Sequence, residues 1–592
     1  MEQRRRSFLY TTKNKGEGTI AEAMKSYTKP PRENDGVNRY HNVRVKPKTS
    51  GPYPASTDIE IPITSDSFTI TEFDNSYLHL QCRVDFSTSG FSGISVGATG
   101  ALGSALNKEQ YVFIGFKSSN HVIRNYHFVF NDLDIPTSRQ TNALYENFLY
   151  TNFKSKGEIA NKKWVFSPYD EVERMDNSIC GSYVPLETIL NSDNNEFYVV
   201  FELIIPITEF LALESFDEYP NKIFGELKVM FNTTAEGIVY CQVNPIESIR
   251  NAIVNGSIKN TTTTNDTTTE TTITGMSTVL AADTRTFPYT HAFQQQGIST
   301  TMCFITNVSS NTLTSVTQDV KITASNIQTL DCWCDIRGYE ASHDAIMQLK
   351  QYFNENPFTV CAQRVERYSF HSGAESSGLD TDVNIRMRRV TDCYVLMPTN
   401  SLQKTVFCNP ALDKFQLMIG NTRYPDQLLS TLDPEFFENQ IQSTDFDSFF
   451  EATDSYEHSL TDARVGSVTT VDTNGSTVTT TTKIGAIAPI TDDTGFCPIF
   501  SLERDNAGEL VFDGRNDKEV KIEITGRPMY QDYNIYPPST MSATPPPTLC
   551  TCSDTYWIFR LINGTPNCQY VTDHDYDEAY NNPDIEAVRD TE

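Results

Sequence analysis

The ten residues Tyr77–Phe86 constrain this chain more than any other stretch. Leu78, Leu80, Cys82, Val84 and Phe86 fall on one side of an extended backbone, and Tyr77, His79, Gln81, Arg83 and Asp85 fall on the other. A strict period of two fits a strand with one face buried and one wet; a helix repeats every 3.6 residues and would scatter these apolar positions. The pattern returns elsewhere. Ile223, Gly225, Leu227, Val229 and Phe231 alternate with Glu226 and Lys228, and Val520, Ile522 and Ile524 alternate with Lys521 and Glu523. Turns rich in Gly, Pro and Asn separate such segments, which argues for sandwiches or barrels rather than a βαβ order.

Helices are expected to be few and short. Ala345, Ile346, Leu349, Tyr352 and Phe353 share one helical face. Asp433-Pro434-Glu435 reads as an N-cap, a proline at the first helical position and an early acid, with Phe437 and Ile441 four apart behind it. Ile207–Phe216 is a third candidate. All three are expected at the ends of sheets.

The chain has 592 residues with 35 Phe and 28 Tyr, enough to build sizeable cores in two large β-domains. Two Thr-rich segments, 258–285 and 466–482, cannot bury a core alone and read as exposed loops or linkers. The expected organisation is a basic, flexible N-terminal arm (1–55), a first β-domain (56–257), a Thr-rich linker or loop (258–285), a second β-domain (286–562) with a Thr-rich surface insertion near 466–482, and an acidic tail (563–592). Net charge is −29, unevenly placed. Residues 1–50 hold 12 Lys/Arg against 5 Asp/Glu, so the remaining 542 carry 35 − 71 = −36. Such an acidic body repels nucleic-acid phosphates, and only the arm can attract them.

No catalytic constellation emerges. Gly93-Ile-Ser-Val-Gly97 matches the string of a hydrolase nucleophile elbow but lies in a Gly/Ser/Ala-rich stretch with no helix after it, and is read as a loop. Cys332-Trp-Cys334 and Cys550-Thr-Cys552 place thiols on one side of a strand, where packing in the core is favoured over zinc. The nine histidines form no metal-binding spacing, and His79 and His127 read as ordinary surface or satisfied residues. No phosphate-binding loop is present and no cofactor is expected. Arg4, Arg5 and Arg6 are the one basic cluster: a solvated terminus, or an internal contact to DNA or a partner chain. No apolar segment follows the basic start and none is long enough to span a membrane. Thirteen cysteines, an odd number, do not suggest a disulfide framework. An intracellular chain with unused glycosylation sequons is expected.

Several segments together resemble the double jelly-roll major capsid proteins of tailless double-stranded DNA viruses, and look closest to the hexon-like proteins of Polinton/Maverick elements. They are Phe68–Leu80, then Tyr111–Asn125 continuing through Gln140–Tyr150 to Lys154-Ser-Lys, then Phe224–Val229 with Tyr240–Val243, and finally Val520–Pro528 with Asp554–Phe559. The resemblance implies a mainly β chain of two side-by-side eight-stranded antiparallel jelly rolls with short helices in the loops between strands. It further implies a homotrimer forming a pseudo-hexameric capsomer, an icosahedral capsid around double-stranded DNA, and a penton or minor capsid protein as partner. Packaged DNA would meet the N-terminal arm. The protein would be a non-enzymatic structural component of the virion, assembled inside the host cell and not secreted. A carbohydrate-binding or adhesive β-sandwich is the alternative, and an enzyme on a β-scaffold is disfavoured for want of a site.

Overall fold

The computed structural model describes residues 37–55, 57–92, 94, 106–152, 154–155, 157, 180–192, 196–254, 259–264, 267–272, 293–308, 313–371, 378–386, 390–410, 412–431, 434–443, 465–471, 477–483, 494–502, 519–528 and 545–572. The chain is mainly β, and its strands fall into two units built on one plan.

The first unit contains β1 (Val37–Val45), β2 (Tyr53–Pro54), β3 (Ile59–Pro62), β4 (Ile70–Ser89), β5 (Tyr111–Gly115), β6 (Ile123–Phe130), β7 (Leu133–Gln140), β8 (Gly181–Pro185), β9 (Glu196–Pro206), β10 (Glu218–Tyr219), β11 (Leu227–Thr233) and β12 (Val239–Gln242). After a hairpin of β13 (Lys259–Thr264) and β14 (Thr267–Thr272) come β15 (Gln294–Gln295), β16 (Ser299–Val308) and the long β17 (Leu313–Ala341). One sheet runs β1-β17-β4 with β9 and β10 along the far side of β4. The opposing strands are ordered β3-β11-β6-β7, then β15-β12-β5-β8. Numbered as successive strands of a ribbon (β1/β2 first, β5/β6 fourth, β7/β8 fifth, β17 last), the two layers read 1-8-3-6 and 2-7-4-5.

The second unit repeats this order with one strand at each position. Its strands are β18 (Phe358–Ser369), β19 (Leu379–Arg386), β20 (Val390–Leu396), β21 (Leu412–Ile419) and β22 (Thr422–Leu429). After the hairpin β23 (Val465–Val471)/β24 (Thr477–Lys483) follow β25 (Ile499–Ser501), β26 (Glu519–Pro528) and β27 (Thr548–Ile562). The sheets β18-β27-β20-β25 and β19-β26-β21-β22 are again 1-8-3-6 and 2-7-4-5, and a final strand β28 (Thr565–Val571) doubles back on β27. In both units the early half of the chain pairs antiparallel with the late half. The resulting ribbon rolls up so that alternate rungs land on opposite sheets.

The alternation in Tyr77–Phe86 holds: Leu78, Leu80, Cys82, Val84 and Phe86 are buried, and their neighbours are half-exposed. Ile522 and Ile524 are likewise buried on β26. The pattern around Leu227 is less regular than its sequence suggests. Ile223 lies in a helical turn, and Gly225 takes φ +104°, leaving no room for a Cβ beside Asn131. Lys228 is buried on β11, where the carboxylates of Glu60 (3.1 Å), Glu226 (3.3 Å) and Asp132 surround its ammonium.

Three boundaries differ from those read in the sequence. Residues 37–45 are a strand, not part of a polar arm: Val43 and Val45 pack on the core while Arg44 and Lys46 point outward. Residues 299–341 belong to the first unit, because β17 pairs along most of β4; the units meet at helix α2 (His343–Glu355), not at the Thr-rich segment. Residues 565–571, placed in the acidic tail by composition, are a strand on β27. Both Thr-rich segments contain two-stranded hairpins paired only with themselves among the described residues.

Helix α2 is capped by Ser342, whose hydroxyl accepts from the Ala345 amide (3.3 Å), and it buries Leu349 and Phe353 on the expected face. Helix α3 (Pro434–Ser443) starts at the expected proline and buries Phe436 and Ile441. The segment from Ile207 forms two 3₁₀ turns instead of one helix. Helix α1 (Ala143–Asn152), unforeseen as an element, lies between the units.

Candidate assembly seam and open sheet face

Two surfaces follow from this plan. The first is the seam between the units. Phe358, Val360, Ala362, Trp557, Phe559 and Tyr570 of the second unit belong to the hydrophobic core of the first. Trp557 stacks on Phe559 (5.7 Å between ring centres), meets Phe128 edge-on (5.5 Å) and donates its indole N–H to the Ala212 carbonyl at 2.7 Å. Tyr219 approaches Phe559 at 5.3 Å, and Phe224 stacks on Phe358 at 5.9 Å. Aromatic rings bury large areas and gain further from edge-on and offset contacts, so this seam has the character of a core.

Polar groups fix its register. Gln295 accepts from the Lys404 and Thr405 amides (3.0 and 3.1 Å) and donates to the Glu236 and Ile238 carbonyls (2.6 and 3.1 Å). Gln140 donates to the Val365 carbonyl (2.6 Å), Asn152 to that of Gly495 (3.3 Å), and Lys117 to the Thr494 hydroxyl (3.2 Å). On α1, Tyr145, Phe148 and Leu149 pack with Val365, Tyr394, Leu396, Phe407, Cys497, Cys550 and Cys552. Glu146 on the same helix is 1% exposed and accepts a hydrogen bond from the Tyr126 hydroxyl. Burial raises its carboxyl pKa to about 8, against the opposing effects of Tyr126, the Leu211 backbone and Arg364.

The second surface is the outer face of β1-β17-β4-β9, which nothing in the chain covers among the described residues. Trp333 stacks on His79 (5.0 Å, 10° between planes), with the Arg44 guanidinium 4.9 Å from the indole centre. Arg44 also grips Asp335 through two bonds (2.8 and 3.1 Å), and His79 Nε2 lies 3.2 Å from the same carboxylate. Arg44 holds the Asp335 pKa below the usual carboxylate value, and Lys46 (2.8 Å) does so for Asp331. Burial lowers the His79 pKa, with Asp335 opposing. Further along, Arg83 sits 4.2 Å over the ring of Tyr198, which is 59% exposed on the edge strand β9 beside exposed Val200. Cations over aromatic rings and an exposed Tyr–Val pair make this face stickier than an ordinary solvated sheet.

The singled-out sequence residues are thereby placed. Cys332 and Cys334 point into the first core, and Cys550 and Cys552 into the seam; all four are buried, and burial raises their thiol pKa values. Among the described residues no group of three or more His, Cys, Asp or Glu could hold a metal ion, and no helix is long and apolar enough to cross a membrane. His127 approaches Asp134 (3.3 Å). Arg4, Arg5 and Arg6, and Gly93–Gly97 apart from Ile94, lie outside the described residues.

No protein-family model and no characterised relative matches the sequence. Solved structures of similar shape include that of the Sputnik virophage (10% identity, TM-score 0.46, covering 93% of this chain and 91% of that one). The mavirus major capsid protein is similar at 9% identity (TM-score 0.41, 94% and 95% covered). So is the capsid model of the virus PBCV-1, again at 9% (TM-score 0.37, 92% and 100% covered).

Proposed function

We propose that each unit is a jelly roll and that the chain is a major capsid protein, a shell subunit whose copies associate into trimeric, six-lobed capsomers enclosing double-stranded DNA. One observation carries this reading: the strand order 1-8-3-6 over 2-7-4-5 occurs twice in one chain, and the two units share a core-like seam. A rolled ribbon pairs most of its strands internally and protects sheet edges, which suits a block that must pack at high density without uncontrolled edge pairing. Two equal lobes held rigidly give three chains six similar corners. The role needs no catalytic group. The open face of β1-β17-β4-β9 is the surface we assign to contact with neighbouring copies.

The basic N-terminal segment carrying Arg4, Arg5 and Arg6 is assigned to internal contact with packaged DNA or with a partner such as a penton or minor capsid protein. Virion localisation follows from the same reading. Because β1 is part of the first sheet, the deletion that tests the arm ends at residue 36. Shells that close and fill with DNA without residues 1–36 would refute an essential arm.

Light scattering on the size-exclusion peak of the full chain tests the assembly. The expected mass is three times 66.7 kDa. A monomer at every salt and protein concentration would refute it, and glycan-array binding by that monomer would favour an adhesive sandwich instead.

A further inference from the structure

Inside the seam one carboxyl group has a setting that neither the fold nor the shell function requires. Glu146 on α1 is fully buried, its Oε1 accepts from the Tyr126 hydroxyl, and its Oε2 has no hydrogen-bond partner among the described residues. The groups around it come from both units. Tyr126 faces it from β6. Tyr570 faces it from β28, its hydroxyl bonded to that of Thr555 at 2.9 Å. Cys552 faces it from β27, its Sγ 3.0 Å from Gln363 Oε1, with Asp392 and Asp554 around the same thiol. Arg364 on β18 is the cation in this cluster, and its contacts lie elsewhere: Nη1 is 3.4 Å from the Thr137 carbonyl and Nη2 is 3.5 Å from Glu366. Among the described residues Glu146 has no ion-pair partner.

A carboxylate in such a place would be a buried charge with a single side-chain hydrogen bond and acids nearby, which is costly; a carboxylic acid is not. Opening the seam would return Glu146 to water, where it ionises readily.

We propose that Glu146 is a proton-operated latch between the two jelly rolls: the closed seam holds a proton on this side chain, and opening the seam releases it. The inference concerns the single chain and stands whether or not copies assemble.

The direction follows from linkage. A carboxyl that binds its proton more tightly in the closed state stabilises that state at low pH. The advantage shrinks as pH rises above the ordinary glutamate value, and the loss ends where the closed form itself ionises, near pH 8. For one proton the opening constant rises about tenfold per pH unit across that window.

The test is denaturant unfolding of the full chain from pH 5 to 9, comparing wild type with Glu146→Gln. The ratio of their opening constants should climb about tenfold per unit and level off near pH 8. A pH-independent ratio would overturn the proposal. Should Glu146→Gln not fold, Tyr126→Phe serves. It removes the bond that favours the ionised form, so the levelling-off should move to higher pH, and an unmoved plateau would overturn the latch equally.

Discussion

The sheets β1-β17-β4-β9 and β18-β27-β20-β25 occupy the same place in the strand order of their respective units, yet they are buried in opposite ways. On β4 burial alternates residue by residue, whereas β20 is buried at all seven positions and β27 along most of its length. The first unit explains the difference: its helix α1, its 3₁₀ turns and its aromatic rings cover the outer face of the second unit's sheet. Nothing described in this chain does the same for the first. Equivalent topology therefore does not give equivalent chemistry, and the uncovered sheet carries the Trp333–His79–Arg44 and Arg83–Tyr198 groups.

Breaking the seam should have the largest effect. Trp557→Ala removes a second-unit ring buried in the core of the first unit and is expected to cost about 3–5 kcal/mol in urea unfolding. Trp333→Ala, the same change on the open face, should cost far less in the monomer; equal losses would erase the distinction between the faces. Next in size, Gln295→Ala strands the Lys404 and Thr405 amides and the Glu236 carbonyl, while the Ile238 carbonyl keeps the Gln296 amide. A loss of about 1–3 kcal/mol is expected, read by the same unfolding.

Smallest for stability is Arg44→Ala, which breaks the pair between exposed Arg44 and half-buried Asp335 and should cost less than either change above. Its signature is pH dependence. The Asp335 pKa is depressed in the fold, so the contribution is present above the ordinary aspartate value and disappears as pH falls through the folded one. Melting curves of wild type and Arg44→Ala should converge in acid. Arg83→Ala with Tyr198→Ala sharpens the comparison differently: melting should change little, while the proposed trimer, followed by sedimentation, should dissociate. An unchanged oligomer would remove this face from the assembly surface.

How far the sequence disclosed this molecule depended on which way each strand faces. Tyr77–Phe86 has one wet face, so its period of two was plain. Val390–Leu396 is covered on both sides and contains Thr391, Asp392 and Tyr394, so it presents no period at all. In the arm, basic composition masks a pattern: Val43 and Val45 alternate with Arg44 and Lys46, a strand signal inside a basic segment. The Thr-rich segment suggested a boundary by its composition, but β17 returns to β4 far along the chain, and such long-range pairing leaves no local mark. Glu146 was hidden for a related reason. It sits among Leu144, Tyr145, Phe148 and Leu149, a short apolar helix pattern, and only the neighbouring unit makes its position unusual.

The most direct measurement is electron microscopy of the purified full chain, sorted into class averages. Particles with six lobes around a threefold axis, two per chain, are the predicted result. Isolated two-lobed particles at every concentration and salt would contradict the account.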